Sequence, residues 1–248
     1  MKRIILLCVM LIACITIKAE TYVIAVGVSN YGDTNANLYQ TTDDVKKFAT
    51  FMRSRTKYVT AITGSNATSK NVLSKLDAIS RLCTEKDTIF FLYRGHGFRG
   101  GLYMYKSNLM YKDMIAKLQK SKSKNIFCII DACFAASVED DMKGKNITNI
   151  TCFCASKENE FSWTGGLIQS GFFFHGIMKG MRGLADSNRD KRLTVKELFA
   201  YAYADTKEKS KDIQHPSLVC PKEMLNTVIF DWDGFESWYN SIVDDMDD

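Results

Sequence analysis

Proline is nearly missing from this chain: Pro216 and Pro221 are the only two among 248 residues. With so few, and with no Gly/Ser or Gln tract, the sequence has neither the stiff linkers of a modular protein nor the composition of a disordered one. No self-similar period in the solenoid range is present, which excludes a repeat array. Histidine is scarce too, at 3 residues. No Cys-x-x-Cys pair and no Cys/His group stands at zinc spacing, so a structural zinc site of that kind is excluded. Long runs of like charge are also absent. The nearest approach, Lys117 to Lys124 (KLQKSKSK), reads as a solvated helix end and the loop after it, so no nucleic-acid partner is expected.

What is present is apolar: 46% of the residues are hydrophobic, enough for one good-sized core, and no composition shift divides the chain. One domain is expected over residues 20–248. Before it, Met1-Lys2-Arg3 leads into the apolar run Ile4 to Ile17 and then Lys18-Ala19-Glu20, the layout of a secretory signal cut after Ala19. The run falls short of the ~20 residues that cross a bilayer, so no stable membrane span is expected. Residues 1–19 therefore read as a signal peptide and the protein as exported, periplasmic or extracellular. Ranked second is a lipoprotein anchored through Cys14, suggested by Leu11-Ile-Ala-Cys14. Loss of the signal takes Lys2, Arg3 and Lys18 from a chain of net charge +5 and brings the mature protein near neutrality. It also takes Cys8 and Cys14. Of the remaining thiols, Cys128, Cys152 and Cys154 sit in apolar strand-like runs and read as core packing, not as a disulfide framework.

Apolar runs alternate with amphipathic ones. Strands are expected at 21–28, 58–62, 88–93, 126–131, 150–154 and 225–230, with a hairpin around GFRGGLYMY after the third. Helices are expected at 43–53, 69–81, 111–119, near 171–180 and at 194–205. Strands separated by helices need crossover connections, hence an α/β fold with a mainly parallel sheet covered on both faces. Ligand sites in such sheets lie beyond the carboxyl ends of the strands. Two of those ends carry chemistry. Tyr93-Arg-Gly-His-Gly97 places an imidazole between two glycines, and Asp131-Ala-Cys-Phe-Ala-Ala-Ser137 places a thiol before small residues where a helix can begin. A thiol needs an adjacent base, and an imidazole can take its proton at neutral pH and return it to a leaving amine. Cys133 and His96 are thus the expected nucleophile and base, with the Cys133 pKa lowered by the helix start. Gly95 and Gly97 would let a substrate carbonyl approach, and the Gly97 and Cys133 N–H groups would form an oxyanion hole. His175 and His215 stand away from these strand ends and read as packing and loop residues.

These two motifs resemble those of the caspase-like cysteine peptidases, and within them the metacaspases and their bacterial relatives. YRGHG is similar to the family's histidine motif and DACFAAS to its nucleophile motif, in the same order along the chain. The resemblance implies a caspase-like three-layer sandwich around a six-stranded, mostly parallel sheet. It further implies a cysteine endopeptidase acting on protein or peptide substrates, with no required cofactor. Asp131-Ala132-Cys133 stands where caspases have Gln-Ala-Cys, as in metacaspases. Asp131, two residues before the nucleophile, points to the same face of the strand. Asp44 matches a second acidic pocket residue of metacaspases. Two carboxylates in one pocket favour Arg or Lys before the scissile bond. The alternative of a different class is a catalytically weak caspase-like module that binds protein partners.

Asp186-Ser-Asn-Arg-Asp-Lys-Arg-Leu-Thr-Val-Lys-Glu197 has the EF-hand spacing, with Asp186, Asn188, Asp190, Thr194 and Glu197 as candidate calcium ligands. Lys191 stands where that loop normally has glycine. An Asx-rich turn that caps the following helix takes precedence over a tight calcium site.

Overall fold

The structure, a computed structural model, describes residues 19–165 and 170–232. Apart from Ala19, the expected signal peptide lies outside the described residues, and so does Cys14. The chain begins β1 (Thr21–Gly27), α1 (Thr41–Arg53), β2 (Tyr58–Thr63), α2 (Ser69–Leu82) and β3 (Thr88–Arg94). A small antiparallel sheet follows, made of β4 (Gly97–Phe98), β5 (Gly101–Met104) and β6 (Ser107–Met110). Then come α3 (Tyr111–Leu118), β7 (Asn125–Asp131), α4 (Val138–Met142), β8 (Ile150–Cys154), β9 (Thr164–Gly165), β10 (Ser170–Gly171) and α5 (Phe172–Lys179). The last elements are β11 (Arg192–Thr194), α6 (Val195–Lys209), β12 (Ser217–Val219) and β13 (Val228–Asp231).

The central sheet has six strands in the order β12-β8-β7-β3-β1-β2, and all its pairings are parallel except β12 with β8. Its middle strands are apolar end to end because both faces are covered. Alternate residues feed two cores. Ile89, Phe91, Ile126, Cys128, Cys152 and Cys154 face the α2–α3–α4 side, while Phe90, Leu92, Phe127, Ile129 and Phe153 face α1, α5 and α6. Cys83, Cys128, Cys133, Cys152, Cys154 and Cys220 are all free thiols. Helix α1 turns Val45, Phe48 and Met52 inward at helical spacing. Helix α2 starts at Thr68, whose hydroxyl accepts from the Asn71 N–H at 3.3 Å.

One strand differs from expectation. The sixth member of the sheet is β12, not the run at 225–230. β12 is a three-residue edge strand bounded by Pro216 and Pro221, the position where proline's missing donor costs least. The 228–231 segment instead pairs with β11 and lies over the sheet face, with Phe230 stacked on Phe90 at 5.8 Å.

Candidate active site

β1 is bonded to β2 on one side and β3 on the other, so the crossovers through α1 and α2 run in opposite directions from it. Such a reversal opens a crevice at the carboxyl ends of the strands. β3 and β7 are neighbours there, in register from Thr88 with Asn125 to Arg94 with Asp131, and they release His96 and Cys133 side by side. The Gly95 N–H donates to the Asp131 carbonyl at 3.2 Å, which holds the two exits together.

The two glycines have a reason other than the one expected. A Cβ at Gly95 would lie 2.5 Å from the Tyr93 hydroxyl and 2.6 Å from that of Tyr31, and one at Gly97 would overlap the Cys133 carbonyl. They make room for the chain's own tyrosines and backbone. The same crowding brings the Gly97 and Cys133 backbones into contact.

His96 is held from several directions. Its Nε2 lies 2.9 Å from the Ala36 carbonyl. A carbonyl only accepts, so Nε2 carries the proton and Nδ1 is left as the ring's acceptor. The His96 N–H donates to Tyr31 Oη at 2.7 Å, and the Tyr31 ring lies 4.9 Å from the imidazole. The His96 carbonyl accepts from the Tyr93 hydroxyl at 2.8 Å and from the Tyr103 N–H at 3.0 Å. Burial pushes the Tyr31 phenol up to about 12, so it stays neutral beside the imidazole.

Cys133 is half-buried. Its Sγ accepts from the Ser162 N–H at 3.4 Å and faces the Ser162 carbonyl at 3.8 Å. No hydrogen bond joins Cys133 to His96 among the described residues. Burial pushes the thiol pKa up, the Ser162 N–H opposes that, and the charge of Asp131 adds to it. The lowered pKa expected from a helix start is thereby corrected. The turn after Cys133 is a short 3-10 segment, and its first N–H groups are taken: Ala135 donates to Ser156 Oγ at 3.2 Å and Ala136 to the Ser156 carbonyl at 3.1 Å. They are not aimed at an anion. Phe134 adopts the left-handed conformation, with φ at 57°, to make this turn. A raised thiol pKa has a direct readout. Alkylation of Cys133 by iodoacetamide should accelerate continuously from neutral into alkaline pH, because the thiolate fraction is still growing. A rate already flat at neutral pH would show a preformed thiolate–imidazolium pair.

Asp131 and Asp44 do converge, but on Arg94, a residue that neither motif singles out. Arg94 Nε donates to Asp44 Oδ2 at 2.7 Å, and Arg94 Nη1 stands 3.1 Å from Asp131 Oδ2. Arg94 and Asp131 are cross-strand partners whose side chains turn to the α1 face, where the first turn of α1 supplies Asp44. Ser162 completes the cluster by donating through Oγ to Asp131 Oδ1 at 2.9 Å. The three charged side chains are at most 4% exposed. Burial raises the Asp131 pKa, with the Arg94 charge opposing. For Arg94, burial pulls downward, but Asp131 and Asp44 outweigh it and hold the guanidinium charged. In the partly closed pocket expected for Arg or Lys, a guanidinium of the chain itself stands between the carboxylates.

The remaining candidates lie elsewhere. In the turn before α6, Asp186 accepts from the Asp190 and Lys191 N–H groups at 3.2 and 2.9 Å, and Asn188 Oδ1 accepts from Asp190 N–H at 2.9 Å. Asp190 Oδ1 accepts from the Arg192 N–H at 2.9 Å. Thr194 and Glu197 form a reciprocal capping box. Lys191 takes the left-handed conformation, φ 64°, where glycine was expected to be needed. Each candidate ligand thus has a role in the turn or the helix cap, and among the described residues no group of three His, Cys, Asp or Glu could hold a metal. His175 pairs with Asp205 at 3.2 Å, and His215 bridges Glu160 and Asp212, each at 3.0 Å.

A family model, the peptidase C14 caspase domain, matches residues 21–225. The chain belongs to the caspase domain family. None of the curated proteins compared with it matches. Among solved structures, a crystal structure of a protein from Geobacter sulfurreducens superposes with a TM-score of 0.64 at 14% identity, covering 86% of this chain and 98% of that one. That likeness is one of fold. The caspase domain here is thus a mixed α/β layer structure around a six-stranded, mostly parallel sheet, of a cysteine-peptidase family that acts on proteins. No helix among the described residues is long and apolar enough to cross a membrane.

Proposed function

We propose that this caspase domain is a cysteine endopeptidase of the metacaspase type, exported, with Cys133 as nucleophile and His96 as general base. The observation that carries the reading is the His96 tautomer: the Ala36 carbonyl fixes the proton on Nε2 at 2.9 Å and leaves Nδ1 basic, at a strand end adjoining that of Cys133. Nδ1 takes the thiol proton as Sγ attacks the peptide carbonyl, and the oxyanion formed is received by the Gly97 and Cys133 N–H groups. The proton passes to the leaving amine, the C–N bond breaks and a thioester remains. Water, deprotonated by the same nitrogen, then releases the acid and restores the thiol. Asp131-Ala132-Cys133 supports the metacaspase type. The chemistry requires no cofactor, and the turn at Asp186 is not part of it. Arg or Lys before the scissile bond is the specificity of Asp44 and Asp131 taken alone. Arg94 alters that reading.

The binding-module alternative has one observation in its favour, the missing hydrogen bond between Cys133 and His96. Catalytic hydrogen bonds are often loose without substrate and tighten on binding. Hydrolysis of internally quenched peptides by the purified protein tests the proposal, and an inactive chain that still captures peptides would favour the module.

Export has its own support. The Glu20 N–H donates to Asp87 Oδ1 at 2.8 Å, so cleavage after Ala19 would place the new ammonium group against a buried carboxylate. Intact-mass analysis of protein from the native host should give a chain starting at Glu20. A diacylated chain starting at Cys14 would establish the anchored form instead.

A further inference from the structure

Arg94 takes no part in the proposed proton transfers, yet it lies in the middle of the site. Ser162 touches both centres: its N–H donates to Cys133 Sγ at 3.4 Å and its Oγ to Asp131 Oδ1 at 2.9 Å. The charged cluster therefore adjoins the nucleophile through Ser162. Gly171 covers it closely. A Cβ there would stand 2.5 Å from Asp131 Oδ2 and 2.9 Å from Arg94 Cζ, so the cluster itself fills the space that a side chain at this position would take.

The cluster balances neither charge nor hydrogen bonds. Two carboxylates face one guanidinium. Arg94 Nη2 and Asp44 Oδ1 are buried without hydrogen-bond partners, as is Ser170 Oγ, while Asp131 Oδ2 has only its ion pair with Arg94 Nη1 at 3.1 Å. Buried polar atoms in this state are costly unless something satisfies them. Asp44 and Ser170 also line a cavity of about 320 Å³ between α1 and α5, whose other lining residues include Lys47, His175, Lys179 and Arg182.

We propose that Arg94 is the specificity-determining residue of this peptidase and that it selects a neutral carboxamide side chain, Asn or Gln, before the scissile bond. The proposal rests on the peptidase reading of Cys133 and His96. An incoming Arg or Lys meets a cation already seated between the carboxylates, and can displace it only by breaking both of its buried ion pairs. An incoming Asp or Glu adds a third carboxylate to two. A carboxamide carries no charge and offers both complements: its carbonyl accepts from Arg94 Nη2 and an amide N–H donates to the unpaired Asp44 Oδ1. Sites built to hydrogen-bond a substrate group discriminate strongly against side chains that leave those groups unpaired.

The test has two arms. Wild-type protein is given peptides that differ only in the residue before the scissile bond: Asn, Gln, Arg, Lys, Asp or Ala. The expected kcat/KM for Asn or Gln exceeds that for Arg, Lys and Asp by at least about tenfold. Arg or Lys cut as fast as Asn and Gln, or faster, overturns the proposal. The second arm needs no turnover. In Arg94→Ser the place of the guanidinium is empty, and benzamidine should raise the melting temperature by about 2 °C or more while leaving wild type unmoved. An equal response of the two proteins, or none in the variant, overturns the proposal. Should no peptide be cut, the peptidase reading falls and benzamidine alone decides whether Arg94 occupies a cation site.

Discussion

Cys133→Ala is expected to lower kcat/KM on any cleaved peptide by about 10⁴-fold or more, and His96→Ala by a similar factor. The double variant should be little worse than either, because nucleophile and base act in one step and the second loss removes a function already gone. Neither change should unfold the protein. The Cys133 sulfur is half-buried with two hydrogen bonds to Ser162, and His96 is also partly exposed, so each loss should fall in the range of an ordinary substitution, about 1 kcal/mol. Circular dichroism and melting curves near wild type, together with lost turnover, would separate chemistry from folding. Undiminished hydrolysis by Cys133→Ala would end the peptidase reading.

The sequence carries the strands and helices of this fold because burial on two faces forces long apolar runs at β1, β3, β7 and β8, and because helices on those faces show a helical repeat. It also marks the pair of strand ends, since a lone imidazole and a lone thiol beside small residues have little packing purpose there. The reason for the small residues is not visible at that level. Gly95 and Gly97 answer to Tyr31, Tyr93 and Cys133, contacts between residues far apart in the chain. Nor is the hold on His96 visible, because its partner is the backbone oxygen of Ala36, which no side chain announces. The edge strand β12 is too short for a periodic signal, and 225–230, which ends in the apolar run Val228 to Phe230, covers the sheet without joining it. Arg94 did leave a signal. An arginine that ends an all-apolar strand requires a buried counter-charge, and Asp131 at the matching end of the neighbouring strand supplies it. Two opposite charges at the ends of adjacent apolar strands are enough to imply an internal ion pair.

That pair also sets the largest stability effect expected. Asp131→Ala removes one of the two carboxylates that hold Arg94, leaving a guanidinium at most 4% exposed to face Asp44 alone. Asp44 still balances the guanidinium, but Arg94 Nη1 and Ser162 Oγ lose a buried acceptor, and a buried hydrogen bond to a charged group is worth about 1.5–3 kcal/mol. At about 2–4 °C per kcal/mol for a chain of this size, the melting temperature should fall by roughly 3–12 °C. Asp131→Asn keeps the shape and an acceptor for Ser162 Oγ and should lose less. Arg94→Met in the Asp131→Asn, Asp44→Asn background removes the cation with both anions, and should recover much of the loss, as replacing a whole buried ion network with neutral groups often does. The order is the diagnostic feature: Asp131→Ala below Asp131→Asn, with the triple variant above Asp131→Ala. An Asp131→Ala protein melting within about 2 °C of wild type would show that Arg94 reaches solvent or another partner, and that Asp131 and Asp44 are free to receive a basic side chain after all.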